Sequence, residues 1–225
     1  MAISRVSFST NNGTGVTLGT HVKGDLILYS AYFAGAGIPS LPPGVLGLYT
    51  RANSGGSHRL GYYIAESASE TTGTSGWTGA SNVTAIAYRG GPRSVVIPTL
   101  LSQNGSSGTV ISYAAQAAIT SPVFKESALD LWLVGLAATR ATGNNLSGLA
   151  PSGMTFINNS IGASFEVASY DTNSTRSAIW PATNVTQATG VVWATFVLEL
   201  LEIDHKTTSG GGGGSYSPID NLLIG

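Results

Sequence analysis

Side chains able to do chemistry are few in this chain and scattered along it. It has three histidines (His21, His58 and His205), no cysteine and eleven acids in 225 residues. A catalytic zinc needs closely spaced donors such as two histidines one helical turn apart. The three histidines show no such spacing and stand in polar, turn-like surroundings, so they read as exposed loop residues. A glycosidase needs two carboxylates facing each other across the scissile bond. Glu66 and Glu166 fall at matching places in an internal repeat, but matching positions reflect common ancestry more readily than a shared reaction. Asp25 and Asp130 each open a strand-like run with no other acid beside them. Capping of local backbone N–H groups explains them more simply than calcium binding. Gly35-Ala36-Gly37 and Gly105-Ser106-Ser107-Gly108 lack the Gly-Lys-Ser/Thr ending of a phosphate loop and read as turns. The expectation is a protein that is not an enzyme and uses no cofactor or metal.

Two groups of residues suit binding better than catalysis. Trp77 and Trp180 stand at matching repeat positions. They could stack on sugar rings, as in a carbohydrate-binding module, or close the open ends of a sandwich. The second group lies at the C-terminus, where Ser209 is followed by the five glycines Gly210 to Gly214. After Ser215-Tyr216-Ser217-Pro218 comes Ile219-Asp220-Asn221-Leu222-Leu223-Ile224-Gly225. This is a flexible tether carrying a short apolar peptide, although a glycine run also has the form of an artificial linker. Ordering glycines costs more backbone entropy than ordering any other residue, so an ordered tether requires contacts to hold it. Tyr216, Ile219, Leu222, Leu223 and Ile224 are the expected docking residues, and a neighbouring subunit is the expected partner.

Composition narrows the partners further. Charged residues make up 9% of the chain, against about 25% in average proteins. Such a surface is a solubility liability unless neighbours cover it, which points to a homo-oligomer. A formal net charge of −1 gives no electrostatic case for nucleic acid or an acidic membrane. No apolar run approaches the roughly 18 residues of a spanning helix. Met1-Ala2-Ile3-Ser4-Arg5-Val6 lacks the charged and apolar regions of a signal peptide, so the expected site of synthesis and assembly is a cytoplasm.

The elements that position these residues read as strands. Lys23-Gly24-Asp25 turns into Leu26-Ile27-Leu28-Tyr29-Ser30-Ala31-Tyr32-Phe33, a run apolar enough to be buried on both faces. A similar run, Leu129-Asp130-Leu131-Trp132-Leu133-Val134-Gly135-Leu136-Ala137, stands about halfway along. The landmarks downstream of the two copies also match. Pro42-Pro43-Gly44 answers to Pro151-Ser152-Gly153, and Leu60 to Ala65 answers to Ala163 to Ala168. Trp77 answers to Trp180, and Asn82-Val83-Thr84 to Asn184-Val185-Thr186. Ala85 to Tyr88 then answers to Val191 to Ala194. Short strands, glycine-rich turns and almost no helical pattern give an all-β sandwich or barrel. Each half alone supplies about four or five strands, close to the minimum for independent stability, and no linker separates them, which favours one sandwich over two tandem mini-domains. The expected fold is therefore one jelly-roll-like sandwich over residues 1–206, built from two pseudo-repeated Greek-key halves at about 16–93 and 109–203. Residues 207–225 form the extended C-terminal arm.

The Gly24-Asp25 opening, the Pro42-Pro43-Gly44 loop, Tyr62-Tyr63-Ile64-Ala65 and the strand end Ala87-Tyr88-Arg89-Gly90 carry a resemblance. In these motifs the chain resembles small jelly-roll structural proteins of tailed bacteriophage virions, over roughly Val16 to Arg93. The second half matches more weakly, since Val197-Leu198-Glu199-Leu200 stands where an Arg-Gly would. The resemblance implies a virion location and a non-enzymatic role in decorating a capsid or building a tail. The major capsid or tail protein would then be the partner. A glycan- or receptor-binding module of a tail or fibre is the alternative, and it would use Trp77 or Trp180.

Overall fold

The structure, a computed structural model, describes residues 3–52, 56–90, 94–115, 132–172 and 180–203. The first sheet holds β1 (Ser4–Asn12), β2 (Leu26–Phe33), β3 (Leu46–Arg51), β4 (Ser57–Ile64) and β5 (Asn82–Arg89) in the order β1-β5-β2-β4-β3. The chain then forms β6 (Ser94–Gly105) and β7 (Val110–Tyr113), followed by β8 (Trp132–Thr139), β9 (Thr155–Ile161) and β10 (Glu166–Asp171). It closes with β11 (Thr183–Thr186) and β12 (Trp193–Ile203). Five of these make a second sheet in the order β6-β12-β8-β10-β9, while β7 and β11 pair separately. All pairings are antiparallel. A 3-10 turn at Leu146–Gly148 is the one helical element among the described residues.

The central strands explain the sandwich. Side chains alternate across a strand, so Leu26 and Leu28 of β2 point one way while Ile27, Tyr29 and Ala31 point the other. Leu26 and Leu28 join Ile86 and Tyr88 against Trp132, Val134, Leu136, Phe196, Leu198 and Leu200 of the second sheet. This is the core between the sheets. Ile27, Tyr29 and Ala31 are covered from outside by Val16, Val45, Ala65, Trp77 and Ala80, all from connecting segments. On the second sheet, Leu133, Ala137 and Val197 are covered by Ile111 and Tyr113 of β7, by Leu146 and by Trp180. Both sheets are therefore buried on both faces, which is why β2 and β8 read as continuous apolar runs. The covering layer is a consequence of the strand order: β1 to β2, β2 to β3 and β4 to β5 each skip one strand, so their connections must cross the sheet.

Two expectations about topology change here. A jelly roll divides successive strands between its sheets, whereas each large sheet here is drawn from one half of the chain. Within the first sheet, β2 to β5 lie in the order β5-β2-β4-β3. A Greek key would place the third strand outside the second; here β4 lies between β2 and β3. The halves nevertheless have the same order, strand for strand, once β7 and β11 are set aside. Their ladders also match. Leu28 lies opposite Ile86 and Tyr62, and Val134 lies opposite Leu198 and Asp171.

That register corrects two sequence equivalences. It pairs Leu26 with Trp132, one position away from an Asp25–Asp130 match, because Leu26 and Trp132 both face the shared core. It also makes β12 the counterpart of β5, so Asn184-Val185-Thr186, which forms β11, does not correspond to Asn82-Val83-Thr84. The Pro42-Pro43-Gly44 match holds in detail. Gly44 and Gly153 have φ of +83° and +81°, a conformation open to glycine at little cost. The turns close through Val45 N–H to Pro42 O and Met154 N–H to Pro151 O. Val45 and Met154 then each bury themselves on the outer face of their own sheet.

Candidate functional site

Several of the described residues with catalytic potential do structural work. His21 and His58 are buried, contrary to their expected exposure in loops, and His205 lies outside the described residues. His58 sits in β4 with its ring 4.8 Å from Tyr32 and 4.9 Å from Phe196. Neither of its ring nitrogens has a hydrogen-bond partner. Burial, with Arg51 nearby, lowers its pKa to about 3, so the ring is neutral and acts as an aromatic core residue. Glu66 is exposed after β4, while Glu166 is buried at the start of β10. The Glu166 Oε1 accepts the Leu146 N–H at 2.7 Å and so holds the covering turn in place. Asp25 accepts the Val22 N–H at 2.8 Å, which is the expected capping role. It also takes a two-pronged ion pair from Arg89 at 2.7 Å on each arm. Asp130 lies outside the described residues. Among the described residues no three His, Cys, Asp or Glu side chains gather where they could hold a metal.

Trp77 and Trp180 are likewise interior. Trp77 is 0% exposed and Trp180 1%. Their indole N–H groups donate to Gly73 O at 2.8 Å and to Ser152 O at 2.9 Å. Each ring closes the outer face of one sheet, with Trp77 against Tyr29 at 5.6 Å. An indole with no accessible face has none to lay on a sugar ring. Of the two roles open to the pair, burial fits closing the sandwich and leaves no ring face for stacking in this conformation.

With both sheet faces covered, the accessible backbone is at the edges: β1 and β3 in the first sheet, β6 and β9 in the second. Among the described residues, five of the nine exposed large apolar side chains lie there, Phe8 on β1, Leu46 on β3, Leu101 on β6 and Phe156 and Ile161 on β9; Val22, Ile38, Ile64 and Val110 are exposed elsewhere. The edges are also irregular. The β1–β5 register shifts between Arg5 and Ser7, and the β3–β4 register between Gly47 and Tyr49. On β9, Ile157 is the extra residue between Asn158 and Phe156; on β6, Ile97 and Pro98 stand opposite Leu200 alone. Every edge strand of the two large sheets thus carries a bulge, and the pairs between inner strands carry none. Bulges twist an edge away from indiscriminate pairing with other chains.

The edges meet in two seams. Along one, β1 lies against β9. The Asn12 amide donates to Ile161 O at 3.0 Å, the Ser160 hydroxyl donates to Asn12 Oδ1 at 2.7 Å, and Arg5 pairs with the buried Asp171. Along the other, Tyr49 on β3 and Ser102 on β6 share a hydroxyl hydrogen bond of 2.8 Å. Beyond its bulge, β6 offers the longest regular edge on this side, Thr99–Gly105, paired on its inner side with Trp193–Glu199.

The sequence-predicted docking residues Tyr216, Ile219, Leu222, Leu223 and Ile224 lie outside the described residues. Their point of departure is fixed, since Ile203, the last described residue, pairs with Ser94 at the start of β6. Sequence reasoning missed the edge residues. The one signal for them was Pro98, because proline inside a strand run marks an edge or a bulge. In comparisons with known proteins, no family model, curated protein or solved structure matches the chain.

Proposed function

We propose that this chain is a non-enzymatic structural subunit of a virion, a capsid decoration protein that docks on neighbouring subunits through its terminal arm. The observation that carries this reading is that every edge strand of a sandwich with covered broad faces bears an exposed apolar side chain, Phe8, Leu46, Leu101, Phe156 and Ile161 among them. Such a molecule has its interaction surface on its rim. Among the described residues, His58, Asp25 and Glu166 serve as core and capping residues. The sparse charge fits a surface covered by neighbours, and the resemblance in the Gly24-Asp25 and Ala87-Tyr88-Arg89-Gly90 motifs supplies the virion setting. The major capsid or tail protein is the proposed partner, together with further copies of the chain.

The halves are further proposed to descend from one duplicated five-stranded unit, related by a pseudo-two-fold axis between β2 and β8. Identical strand order, matching ladders, and equivalent bulges in β3 and β9 support this. Duplication would place like edges on opposite sides of the molecule, as a subunit contacting two neighbours requires. The test is cosedimentation of the intact chain with particles assembled from the capsid protein, beside a Leu222→Asp, Leu223→Asp variant. Binding by the intact chain that the variant loses is expected. Equal binding by both, or specific capture of a glycan by the intact chain on an array, would overturn the reading.

A further inference from the structure

The arm-docking reading leaves open where the arm lands, and the edge geometry favours one place. A peptide that adds to a sheet needs a regular stretch of unpaired strand edge. The bulges divide the four edges unequally. β3 is regular only over Tyr49–Arg51 past its bulge, and β9 only over Asn158–Ile161. β1 has a longer regular run, Ser7–Asn12, but that strand is engaged along the β1–β9 seam. β6 keeps the seven residues Thr99–Gly105, and its seam with β3 is a side-chain bond from Ser102 to Tyr49 rather than a strand-long contact like that of β1 with β9. Among the described residues the hydrogen-bonded neighbour of β6 within the sheet is β12 alone.

The apolar arm peptide Ile219–Ile224 has six residues, which matches that run. Its side-chain chemistry matches as well. On β6, Leu100 packs half-buried toward the core between the sheets, while the adjacent Leu101, which lies on the opposite face, is 42% exposed. In an extended arm the adjacent Leu222 and Leu223 also fall on opposite faces, so one can meet Leu100 and the other Leu101. We propose that Ile219–Ile224 of one copy adds as a strand to the Thr99–Gly105 edge of β6 in a neighbouring copy.

The tether is long enough to reach either edge, and direction favours a neighbour's over the chain's own. Fifteen residues, 204–218, separate Ile203 from Ile219 and can span about 50 Å when extended. Ile203 lies at the Ser94 end of β6. An arm pairing antiparallel with its own β6 would first have to travel back along the whole strand, roughly 36 Å at 3.3 Å per residue. It would then have to reverse direction. A neighbour's arm enters at the Gly105 end without that detour, and antiparallel pairing is the more stable kind.

The absence of native cysteine makes the test direct. Full-length Leu101→Cys and Leu222→Cys chains are mixed and mildly oxidised, with Thr17→Cys, exposed in the loop after β1, replacing Leu101→Cys as control. Docking should raise the 101–222 interchain disulfide at least about tenfold over the control, because a held partner has a much higher effective concentration. Adding Leu223→Pro to the Leu222→Cys chain, which removes an arm N–H, should abolish the excess. A Leu101→Cys, Leu222→Cys double variant that closes only within monomers would overturn the proposal in favour of the chain's own edge. If the chain self-associates through its arm without the 101–222 excess, the β6 site is wrong and arm docking stands. If it neither self-associates nor cross-links, both fail.

Discussion

His58 is a titratable group used as an aromatic one. Its ring nitrogens have no partners and its neighbours are Tyr32, Phe196 and Arg51, so the folded state holds it neutral down to a pKa of about 3. An unfolded chain takes up that proton near pH 6.5. The group therefore contributes nothing to pH dependence above about 6.5. Below it, stability falls by about 1.4 kcal/mol per pH unit until the folded pKa is reached. His58→Phe should remove this component, so the variant gains roughly 2 kcal/mol on the native chain between pH 6.5 and 5. Any overpacking cost is independent of pH. Urea titrations at the two pH values check this, and parallel stability curves would contradict it. The Arg5–Asp171 pair ties the sheets together, with the Asp171 side chain 0% exposed. Arg5→Met removes the cation paired with a buried carboxylate and should cost about 3 kcal/mol, while Asp171→Asn in the same background should restore part of it. None of this was visible in the sequence, where His58 and Arg5 stand in ordinary polar company and their partners are distant in the chain.

Strands were legible wherever burial on both faces made an apolar run. Leu26 to Phe33 announced β2, and Trp132 to Ala137 fell within β8. The paired Pro-x-Gly turns were legible because positive φ demands glycine at Gly44 and Gly153. Phase along each strand was not. The Asp25–Asp130 alignment slips by one residue relative to the ladder, and a slip of one reverses the faces. Asn184-Val185-Thr186 copies a sequence pattern in a strand with no counterpart in the first half. Strand order was illegible for a further reason: a connection that skips a strand looks in sequence like any polar loop with one tryptophan. At this scale the covering layer predicts that Leu133, 0% exposed beneath β7 and Trp180, behaves as a full core residue. Leu133→Ala should cost about 2–5 kcal/mol in denaturant titrations; under about 1 kcal/mol would mean the outer layer is loose.

At the scale of the whole molecule, both faces of the sandwich are closed and its rim is left for contact. The bulges make that rim selective, since they break up most of the edge and leave one long regular run on β6, tied to β3 through the Ser102 side chain. The proposed arm rests on the sequence, where a pentaglycine precedes Ile, Leu, Leu and Ile, and its residues lie outside those the structure describes. The rim was the least legible, since exposure at an edge is set by strand order. Burying four aliphatic side chains at about 1.5–3 kcal/mol each is comparable to the cost of fixing a glycine tether at about 1–2 kcal/mol per residue. Single docking events should therefore be weak and reinforced in assemblies with several arms. Sedimentation velocity of the intact chain beside the Leu222→Asp, Leu223→Asp variant, over a range of concentrations, tests this most directly. The account predicts concentration-dependent oligomers for the intact chain and a folded monomer for the variant. A monomeric intact chain at every concentration, or oligomers unchanged by the variant, would contradict it.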